Sequence, residues 1–361
     1  MFTQNAVLAL LLSAALPVLA APAYTVTALP YNTHPAAINS AGQIVGELVT
    51  VDGLRGFLWD GGMLTQLGTL GGSYSSAVAI NALGHITGYA GTAFNDVRAV
   101  TYSNGAATDL NILGGTASSF GMGINGAGQI AGQYFSGGYQ RSFGRSGGID
   151  TDLGTLGGNN TYARAINGAG HIVGESAVVP DSLDHSHAFI YIDGKMSDLG
   201  TLGGNYSVAT AINDQGQVAG MSHLSGFNGH AFRYANGVMI DLGTLGGQRS
   251  FAFGINGSGL VVGTSDAVGD TNSFAFLSDG TLMTNLNSLI DPALGWILHS
   301  ATAINDTGQI AAYGCRANDC MGVMLAPSPV PEPETWTMLL AGLALVARRA
   351  RTGVSAACRR A

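Results

Sequence analysis

The segment Asp184-His185-Ser186-His187 is the group of side chains in this sequence that most resembles a metal site. Imidazole and carboxylate groups bind zinc, and two histidines separated by one residue point to the same face of a β-strand. Two ligands make only half of a tetrahedral zinc site, and the other histidines are scattered along the chain. We therefore predict no metal site and no cofactor, and keep His185 and His187 as candidate ligand-binding residues.

The acidic residues are the second candidates for chemistry, but they recur as copies. Asp109, Asp152, Asp198 and Asp241 each precede a Leu in a repeated segment. A carboxylate in such a place typically accepts hydrogen bonds from backbone N–H groups of a turn. Catalysis needs one asymmetric set of groups, and the sequence contains no Ser/His/Asp order, phosphate-binding loop or calcium loop. These patterns favour a protein that is not an enzyme.

The elements that position these residues are marked by a repeated motif of Ile-Asn, two free positions and Gly. The motif occurs seven times, at Asn-to-Asn steps of 42, 44, 42, 46, 43 and 49 residues. Asn and Gly at the first and fourth positions are typical of a type I turn. A period in the low forties that holds four short strands is typical of β-propeller blades. The repeated turn residues are Asn39, Gly42, Asn81, Gly84, Asn125, Gly128, Asn167, Gly170, Asn213, Gly216, Asn256, Gly259, Asn305 and Gly308.

The repeat predicts an all-β fold, a seven-bladed β-propeller of four-stranded antiparallel blades with strands a to d. Strand d is assigned to the recurring Asp-Leu-Gly-Thr-Leu-Gly-Gly segment. Strands a, b and c occur seven times, but the seventh unit has no strand d of its own. Residues 24–29 have the pattern of the missing strand. We predict that they form an N-terminal latch strand, which closes the ring and covers an exposed edge.

The b–c and d–a connections of such blades emerge on one face, and their lengths vary. The longest b–c connection contains His185 and His187, and the long d–a connection at residues 290–300 contains Trp296 and His299. Variable loops on a rigid scaffold usually carry recognition, so these four residues mark the predicted ligand face. Neighbouring tyrosines either offer stacking surfaces for sugars or pack the blades together: Tyr74, Tyr134, Tyr162 and Tyr206.

Composition and the N-terminus indicate export. Residues 1–23 have the apolar core and small-residue end of a secretory signal peptide, with a buried N-terminal helix as the alternative. Residues 24–329 contain nine basic and twenty acidic residues, a net charge of −11, which argues against nucleic-acid binding. Cys315 and Cys320 bracket the seventh b–c connection, where two strands leaving one loop bring them within reach of a disulfide. An oxidising compartment suits that bond.

Residues 327–361 form a third region, a Pro-rich linker followed by an apolar run at 336–347 and the basic residues Arg348, Arg349 and Arg351. Twelve helical residues span about 18 Å, which is less than the ~30 Å hydrocarbon core. The positive end would remain in the cytoplasm. The pattern predicts a membrane-inserted helix that contacts the membrane transiently before processing, with an ordinary tail anchor as the alternative.

Two resemblances follow from these residues. His187-Ala188-Phe189 and His230-Ala231-Phe232, together with the Asp-Leu-Gly-Thr-Leu-Gly-Gly segments, resemble the bacterial extracellular HAF-repeat family, over residues 24–326. The tail resembles the PEP-CTERM sorting signal of Gram-negative bacteria, with Pro331, Glu332 and Pro333 as its motif, although residues 352–361 extend beyond the usual end. This resemblance implies processing by an exosortase and delivery to the exterior, often alongside exopolysaccharide and biofilm formation.

The sequence therefore predicts an exported, non-catalytic protein of the cell surface or extracellular matrix. Its expected partners are the exosortase and an exopolysaccharide or surface protein, bound through the face that carries the b–c and d–a loops. A secreted propeller hydrolase or lyase acting on polysaccharide is the alternative.

Overall fold

The computed structural model describes residues 23–328 apart from 115–117, 181–184, 227, 271 and 318. The predicted signal peptide, except its last residue, lies outside the described residues. So do the predicted sorting residues Pro331, Glu332, Pro333, Arg348, Arg349 and Arg351 and the apolar run at 336–347.

The described residues form seven four-stranded antiparallel sheets arranged as a seven-bladed β-propeller, which confirms the predicted fold. Blade one comprises β2 (Thr33–Ile38), β3 (Ile44–Thr50), β4 (Gly53–Asp60) and β5 (Met63–Gln66). Blade two comprises β6 (Gly71–Ile80), β7 (Ile86–Thr92), β8 (Val97–Ser103) and β9 (Ala106–Asp109). Blade three comprises β10 (Ser119–Ile124), β11 (Ile130–Ser136), β12 (Tyr139–Ser146) and β13 (Ile149–Asp152). Blades four and five comprise β14 (Thr161–Ile166), β15 (Ile172–Ala177), β16 (Ser186–Ile192) and β17 (Lys195–Asp198); and β18 (Ser207–Ile212), β19 (Val218–His223), β20 (Gly229–Ala235) and β21 (Val238–Asp241).

Blade six comprises β22 (Gly246–Ile255), β23 (Val261–Ala267), β24 (Ser273–Ser278) and β25 (Met283–Asn285), and blade seven comprises β26 (Trp296–Ile304), β27 (Ile310–Arg316), β28 (Asp319–Pro327) and β1 (Tyr24–Tyr31). Short 3₁₀ helices occupy Ile112–Gly114, Leu286–Leu289 and Pro292–Leu294.

The N-terminal strand β1 is the outer strand of blade seven, as the missing strand d predicted. It pairs with β28 in an antiparallel register that sets Tyr24 opposite Pro327 and Ala28 opposite Val323. Leu29 of β1 is buried against the first blade's apolar residues, and Tyr24 is buried in the cluster of blade seven. The latch therefore gives β28 a hydrogen-bonded partner on both sides.

Strand direction determines the two faces of the ring. Each strand a runs from the d–a connection to the a–b turn, so b–c connections share the face of the d–a connections. Strand β28, a strand c, runs in the same direction as strand a and ends at Pro327 on the face of the a–b and c–d turns. Tyr24 lies opposite Pro327, so both ends of the ring lie on that face. The predicted ligand face is the opposite one.

The asparagines of the repeat have a role that the sequence did not reveal. Each accepts backbone hydrogen bonds within its own turn, as when Asn39 Oδ1 accepts from the N–H groups of Ala41 and Gln43. Each also donates from Nδ2 to the backbone carbonyl of the equivalent Asn in the next blade. These bonds are Asn39 to Asn81 (3.1 Å), Asn81 to Asn125 (2.8 Å), Asn125 to Asn167 (3.0 Å), Asn167 to Asn213 (3.1 Å), Asn213 to Asn256 (2.9 Å), Asn256 to Asn305 (3.2 Å) and Asn305 to Asn39 (2.8 Å).

The seven bonds form a closed circle around the inner edge of the ring, which we call the Asn ring. Each asparagine is buried, so its amide is shielded from water. A buried amide that satisfies its donors and acceptors contributes stability, whereas an unpaired one destabilises. The Ile-Asn motif therefore recurs because one side chain forms the a–b turn and joins two blades.

The expected extent of strand d is wrong. Strands β13, β17 and β21 end at the Asp of the repeated segment. The Leu-Gly-Thr-Leu-Gly-Gly residues belong to the following connection in blades three and four, whereas after β21 only residues 242–245 do, because Gly246 and Gly247 begin β22. The carboxylate causes this ending, because it accepts the N–H of the glycine two residues later. Gly154, Gly200 and Gly243 donate to it at 2.7–2.8 Å. These glycines have φ between +70° and +77°, a conformation that turns the chain away from the sheet.

Candidate binding site

An open cavity of 440 Å³ lies between blades five and six on the face of the b–c and d–a connections. Its volume is within the ~300–1,000 Å³ of typical small-molecule sites. Blade five supplies residues from the end of strand b and the start of strand c, and blade six supplies residues from strands a, b and c. The lining consists of Met221, His223, Gly229, Arg249, Ser250, Phe251, Thr264, Asp266 and Ser273.

The polar wall of the cavity is a hydrogen-bonded group on blade six. Arg249 Nε donates to Asp266 Oδ2 at 3.1 Å, and the Ser273 hydroxyl donates to Asp266 Oδ1 at 2.7 Å. The Asp266 side chain is 11% exposed, whereas the Arg249 side chain is 71% exposed. The two terminal amino groups of Arg249 donate no hydrogen bond to any of the described residues. The wall therefore presents guanidinium donors beside a fixed carboxylate.

The apolar wall is aromatic. Phe251 and Phe253 lie two residues apart on β22, so both point to the same side of the strand. Their rings stack with centroids 4.9 Å apart and an interplanar angle of 23°. Phe251 lines the cavity, and Phe253 lines the central channel of the ring. One face of the Phe251 ring is thus covered by Phe253, which fixes its orientation toward the cavity.

A second polar and aromatic group adjoins this cavity from blades four and five. The Tyr206 ring lies 5.3 Å from the His223 ring, and the Tyr206 hydroxyl donates to Glu175. Burial, together with the Glu175 carboxylate, raises the pKa of Tyr206, which keeps its hydroxyl protonated as a donor. Glu175 also accepts from Arg164 at 2.8 Å. Arg164 reaches the central channel, and its Nε is buried without a hydrogen-bond partner among the described residues.

The four residues predicted for the ligand face are not gathered at one place. His187 pairs with Asp198 of the adjacent strand through Nδ1 and Oδ2 at 2.8 Å, and His185 is exposed just before β16. The expectation that Trp296 is available to a ligand is wrong, because its side chain is 7% exposed in the core of blade seven. The Arg316 guanidinium covers its ring at 5.2 Å. His299 comes nearest to the cavity, since its carbonyl accepts from Thr264.

The tyrosines singled out by the sequence take part in contacts between or within blades. The Tyr134 hydroxyl donates to Asp152 at 2.8 Å, and burial and that carboxylate raise the pKa of Tyr134 to about 12. Arg164 lies over the Tyr162 ring at 6.0 Å, and Tyr206 bonds to Glu175. Tyr74 is half-buried beside Gly91. Of these tyrosines, Tyr206 lies beside the candidate site through its contact with the His223 ring.

The two cysteines of blade seven form a disulfide bond between β27 and β28, where Cys315 lies directly opposite Cys320 in the ladder. Their Cα atoms are 4.0 Å apart. The bond ties the b–c hairpin of the blade that β1 completes. Among the described residues, no three His, Cys, Asp or Glu side chains are grouped so that they could share a metal ion.

The sequence did not point to Arg249, Phe251 or Asp266. Phe251 occupies a strand-a position that the other blades fill with residues as different as His34 and Val208. Comparison of this position across the seven blades is the signal that could have found the site. A residue type that differs from blade to blade indicates a local role, whereas a structural role common to all blades would keep one residue type. Asp266 lies near the end of strand b, outside the repeated acidic position at strand d. Only the packing of blade five on blade six brings these side chains to one cavity.

The C-terminus matches a known sorting signal: residues 329–351 fit the PEP-CTERM protein-sorting motif. This motif marks a protein that is exported and sorted to the cell surface by an exosortase. No curated protein is significantly similar to the chain. No helix in the described part of the chain has the length and apolar character needed to span a bilayer.

Solved structures with a similar fold are β-propellers at low sequence identity. The β-propeller domain of the Trilobed protease from Pyrococcus furiosus has a TM-score of 0.55 at 8% identity, covering 83% of this chain and 94% of that chain. The Pyrococcus horikoshii acylaminoacyl peptidase has a TM-score of 0.51 at 10% identity, covering 81% of this chain and 52% of that chain. TolB from Acinetobacter baumannii has a TM-score of 0.47 at 13% identity, covering 80% of this chain and 64% of that chain.

The chain thus spans about half of the peptidase chain and less than two thirds of the TolB chain. At such identities the likeness extends to the fold alone. The chain is a β-propeller protein that carries the PEP-CTERM signal for exosortase-dependent export to the cell surface.

Proposed function

We propose that this protein is a non-catalytic binding module of the cell surface or extracellular matrix, which holds a glycan or protein on the face of the b–c and d–a loops. The observation that carries the proposal is the open cavity between blades five and six on that face. It combines an oriented aromatic ring with an exposed guanidinium and a fixed carboxylate, the mixture of apolar and polar groups typical of a recognition site.

The direction in which the chain leaves the ring supports this choice of face. Strand β28 ends at Pro327 among the a–b and c–d turns, and the sorting motif follows in sequence. A protein held at the surface through its C-terminal side would keep the opposite face free. The cavity opens on that opposite face, where a ligand outside the cell has access.

The acidic groups near the site favour binding over hydrolysis. Glycosidases generally use two carboxyl groups about 5–9.5 Å apart. Asp266 is the single carboxylate among the described residues that line the cavity, and it is already bonded to Arg249 and Ser273. Asp152, Asp198 and Asp241 each accept from a glycine N–H in their own turn, so their carboxylates serve the scaffold.

We further propose that the ring is a HAF-repeat propeller and that its partners are the exosortase and an exopolysaccharide or surface protein. The two segments that carry the HAF resemblance touch each other in blades four and five. His187 pairs with Asp198, and His230 pairs with Asp241 at 3.0 Å. The histidine of the triplet therefore has a structural partner in the strand that precedes the Leu-Gly-Thr-Leu-Gly-Gly segment.

The test is a paired binding and turnover assay on the purified ring, residues 24–327. Glycan arrays and extracts of the surface polymers would be screened for saturable binding, and the same samples would be analysed for new reducing ends or unsaturated products. We expect binding without product. Sustained turnover that grows with enzyme concentration would instead establish the secreted hydrolase or lyase.

A further inference from the structure

We infer that the cavity between blades five and six is a sugar-binding subsite that takes a neutral hexose unit of a polysaccharide. This inference rests on the proposed binding function and names its ligand class. The cavity supplies the two elements of sugar recognition, a flat apolar ring and adjacent polar groups of opposite character. The first is Phe251, and the second is the pair of Arg249 and Asp266.

Phe251 is prepared for stacking before any ligand arrives. Because Phe253 stacks on it at 4.9 Å, the ring is held in one orientation. A sugar ring presents an apolar face of C–H groups, which packs on an aromatic ring and removes apolar surface from water. A rigid aromatic side chain loses little conformational entropy on binding. Met221 adds a polarisable apolar contact on the blade-five side.

Arg249 and Asp266 fit a pair of neighbouring hydroxyl groups. The terminal amino groups of Arg249 donate hydrogen bonds, and the Asp266 oxygens have lone pairs left after accepting one bond each from Arg249 and Ser273. Adjacent hydroxyls on a sugar ring each donate and accept, so one can receive from Arg249 while the other donates to Asp266. The 3.1 Å bond between the two side chains holds donor and acceptor side by side.

The balance of charge selects a neutral sugar over an acidic one. Arg249 has its positive charge matched by Asp266, so the pair carries no net charge toward a ligand. The whole chain has a formal net charge of −8, which repels a polymer of uronic acids or sulfated sugars. A neutral hexose has no such electrostatic penalty.

The adjoining group on blades four and five makes the site longer than one sugar. Tyr206 contacts His223 at the cavity and bonds to Glu175, which in turn pairs with Arg164. This group repeats the composition of the cavity, an aromatic ring beside an arginine and a carboxylate. The buried Nε of Arg164 lacks a partner among the described residues, so one donor remains unused. A polymer that extends from the cavity would pass over these residues.

The experiment measures binding of neutral and acidic oligosaccharides to the ring, residues 24–327, by calorimetry. The neutral probes are cellohexaose, laminarihexaose and mannohexaose, all hexamers of neutral hexoses, and the acidic probes are hexamers of galacturonate and mannuronate. Two variants perturb the cavity: Phe251→Leu keeps the apolar bulk without the flat ring, and Arg249→Gln removes the charge. Matched controls are Phe94→Leu, an exposed residue of blade two, and Arg141→Gln, which pairs with Asp152 in blade three.

We expect at least one neutral hexamer to bind, with an affinity reduced about tenfold or more in each cavity variant and unchanged in both controls. Thermal melting of all four variants would show that they are folded. Preference for the acidic hexamers, or equal loss in cavity and control variants, would overturn the inference, as would failure of every neutral hexamer to bind. In these cases binding to a surface protein on the same face would still support the proposed function, whereas cleavage of a neutral hexamer would refute its non-catalytic part.

Discussion

The contribution of the Asn ring to stability can be tested by replacing one amide NH2 group by an oxygen. Substitution Asn213→Asp keeps the Oδ1 acceptor for the N–H of Gln217 at 2.9 Å. It removes the Nδ2 donor, which bonds to the Asn256 carbonyl at 2.9 Å and to Gln217 Oε1 at 2.8 Å. The carbonyl of Asn256 would then face a carboxylate oxygen in a buried position, since Asn213 is only 6% exposed.

The expected loss of stability follows from these contacts. A buried polar group left without a partner costs about 1–3 kcal/mol, and a charge taken out of water adds to that cost. We expect the free energy of unfolding of the variant to be lower than that of the wild type by about 3 kcal/mol at pH 7. For a domain of this size, about 2 °C of melting temperature corresponds to each kcal/mol, so the midpoint should fall by about 6 °C.

The pH dependence of the variant identifies the missing donor. Only the protonated carboxyl can donate to the Asn256 carbonyl, so its pKa in the folded state is raised above the unfolded value of about 3.9. The folded state then binds more protons than the unfolded state, and stability falls as the pH rises through the folded pKa. The deficit relative to the wild type should therefore be smaller at pH 4 than at pH 7.

Differential scanning calorimetry at both pH values would measure the effect. The matched control is Asn236→Asp, the same substitution in the exposed c–d turn of blade five, where Asn236 has a φ of 53°. Asp193 occupies the equivalent position in blade four with a φ of 50°, so a carboxylate is compatible with that turn. Equal melting temperatures for the two variants at pH 7 would show that the Asn ring does not stabilise the fold.

Three further predictions concern the ends of the ring. Deletion of residues 24–30 should expose the outer edge of β28 and cause aggregation in size-exclusion chromatography, and a monomeric product with unchanged melting temperature would contradict the latch. Reduction of the Cys315–Cys320 bond should lower stability by about 2 kcal/mol in a chain-entropy estimate, while the Cys315→Ser/Cys320→Ser variant should not respond to reductant. Replacement of Pro331, Glu332 and Pro333 by alanine should leave an uncleaved form at the inner membrane, and mass spectrometry that finds residues beyond Arg348 in wild-type surface protein would refute processing.

The fold was largely predictable because the propeller repeats its local signals. Seven turns of one type set the blade number, and the unit without strand d located the latch at β1. The boundary of strand d was predicted wrongly because Asp152 and its equivalents end the strand with an Asx turn, while the apolar residues that follow look like strand residues. The bonds of the Asn ring were missed because they join residues more than forty positions apart.

The candidate site was far less predictable, because its members are not part of the repeat. Arg249 and Asp266 are seventeen residues apart on neighbouring strands, and Met221 comes from the preceding blade. Long loops directed the sequence-based expectation to Trp296, which the structure uses for packing. Loop length indicates where a chain can vary, whereas a cavity depends on how two blades meet.

Blade seven explains how the ring can be closed although the chain continues beyond it. The chain leaves the ring directly after β28, so a pull on the residues that follow would act first on that strand. An edge strand would separate easily under such load, but β28 lies between β27 and β1 and is joined to β27 by the disulfide. At the inner edge, Asn305 donates to the Asn39 carbonyl across 266 positions of sequence. The first and last blades are therefore joined at the inner edge by the Asn ring and at the outer edge by the latch.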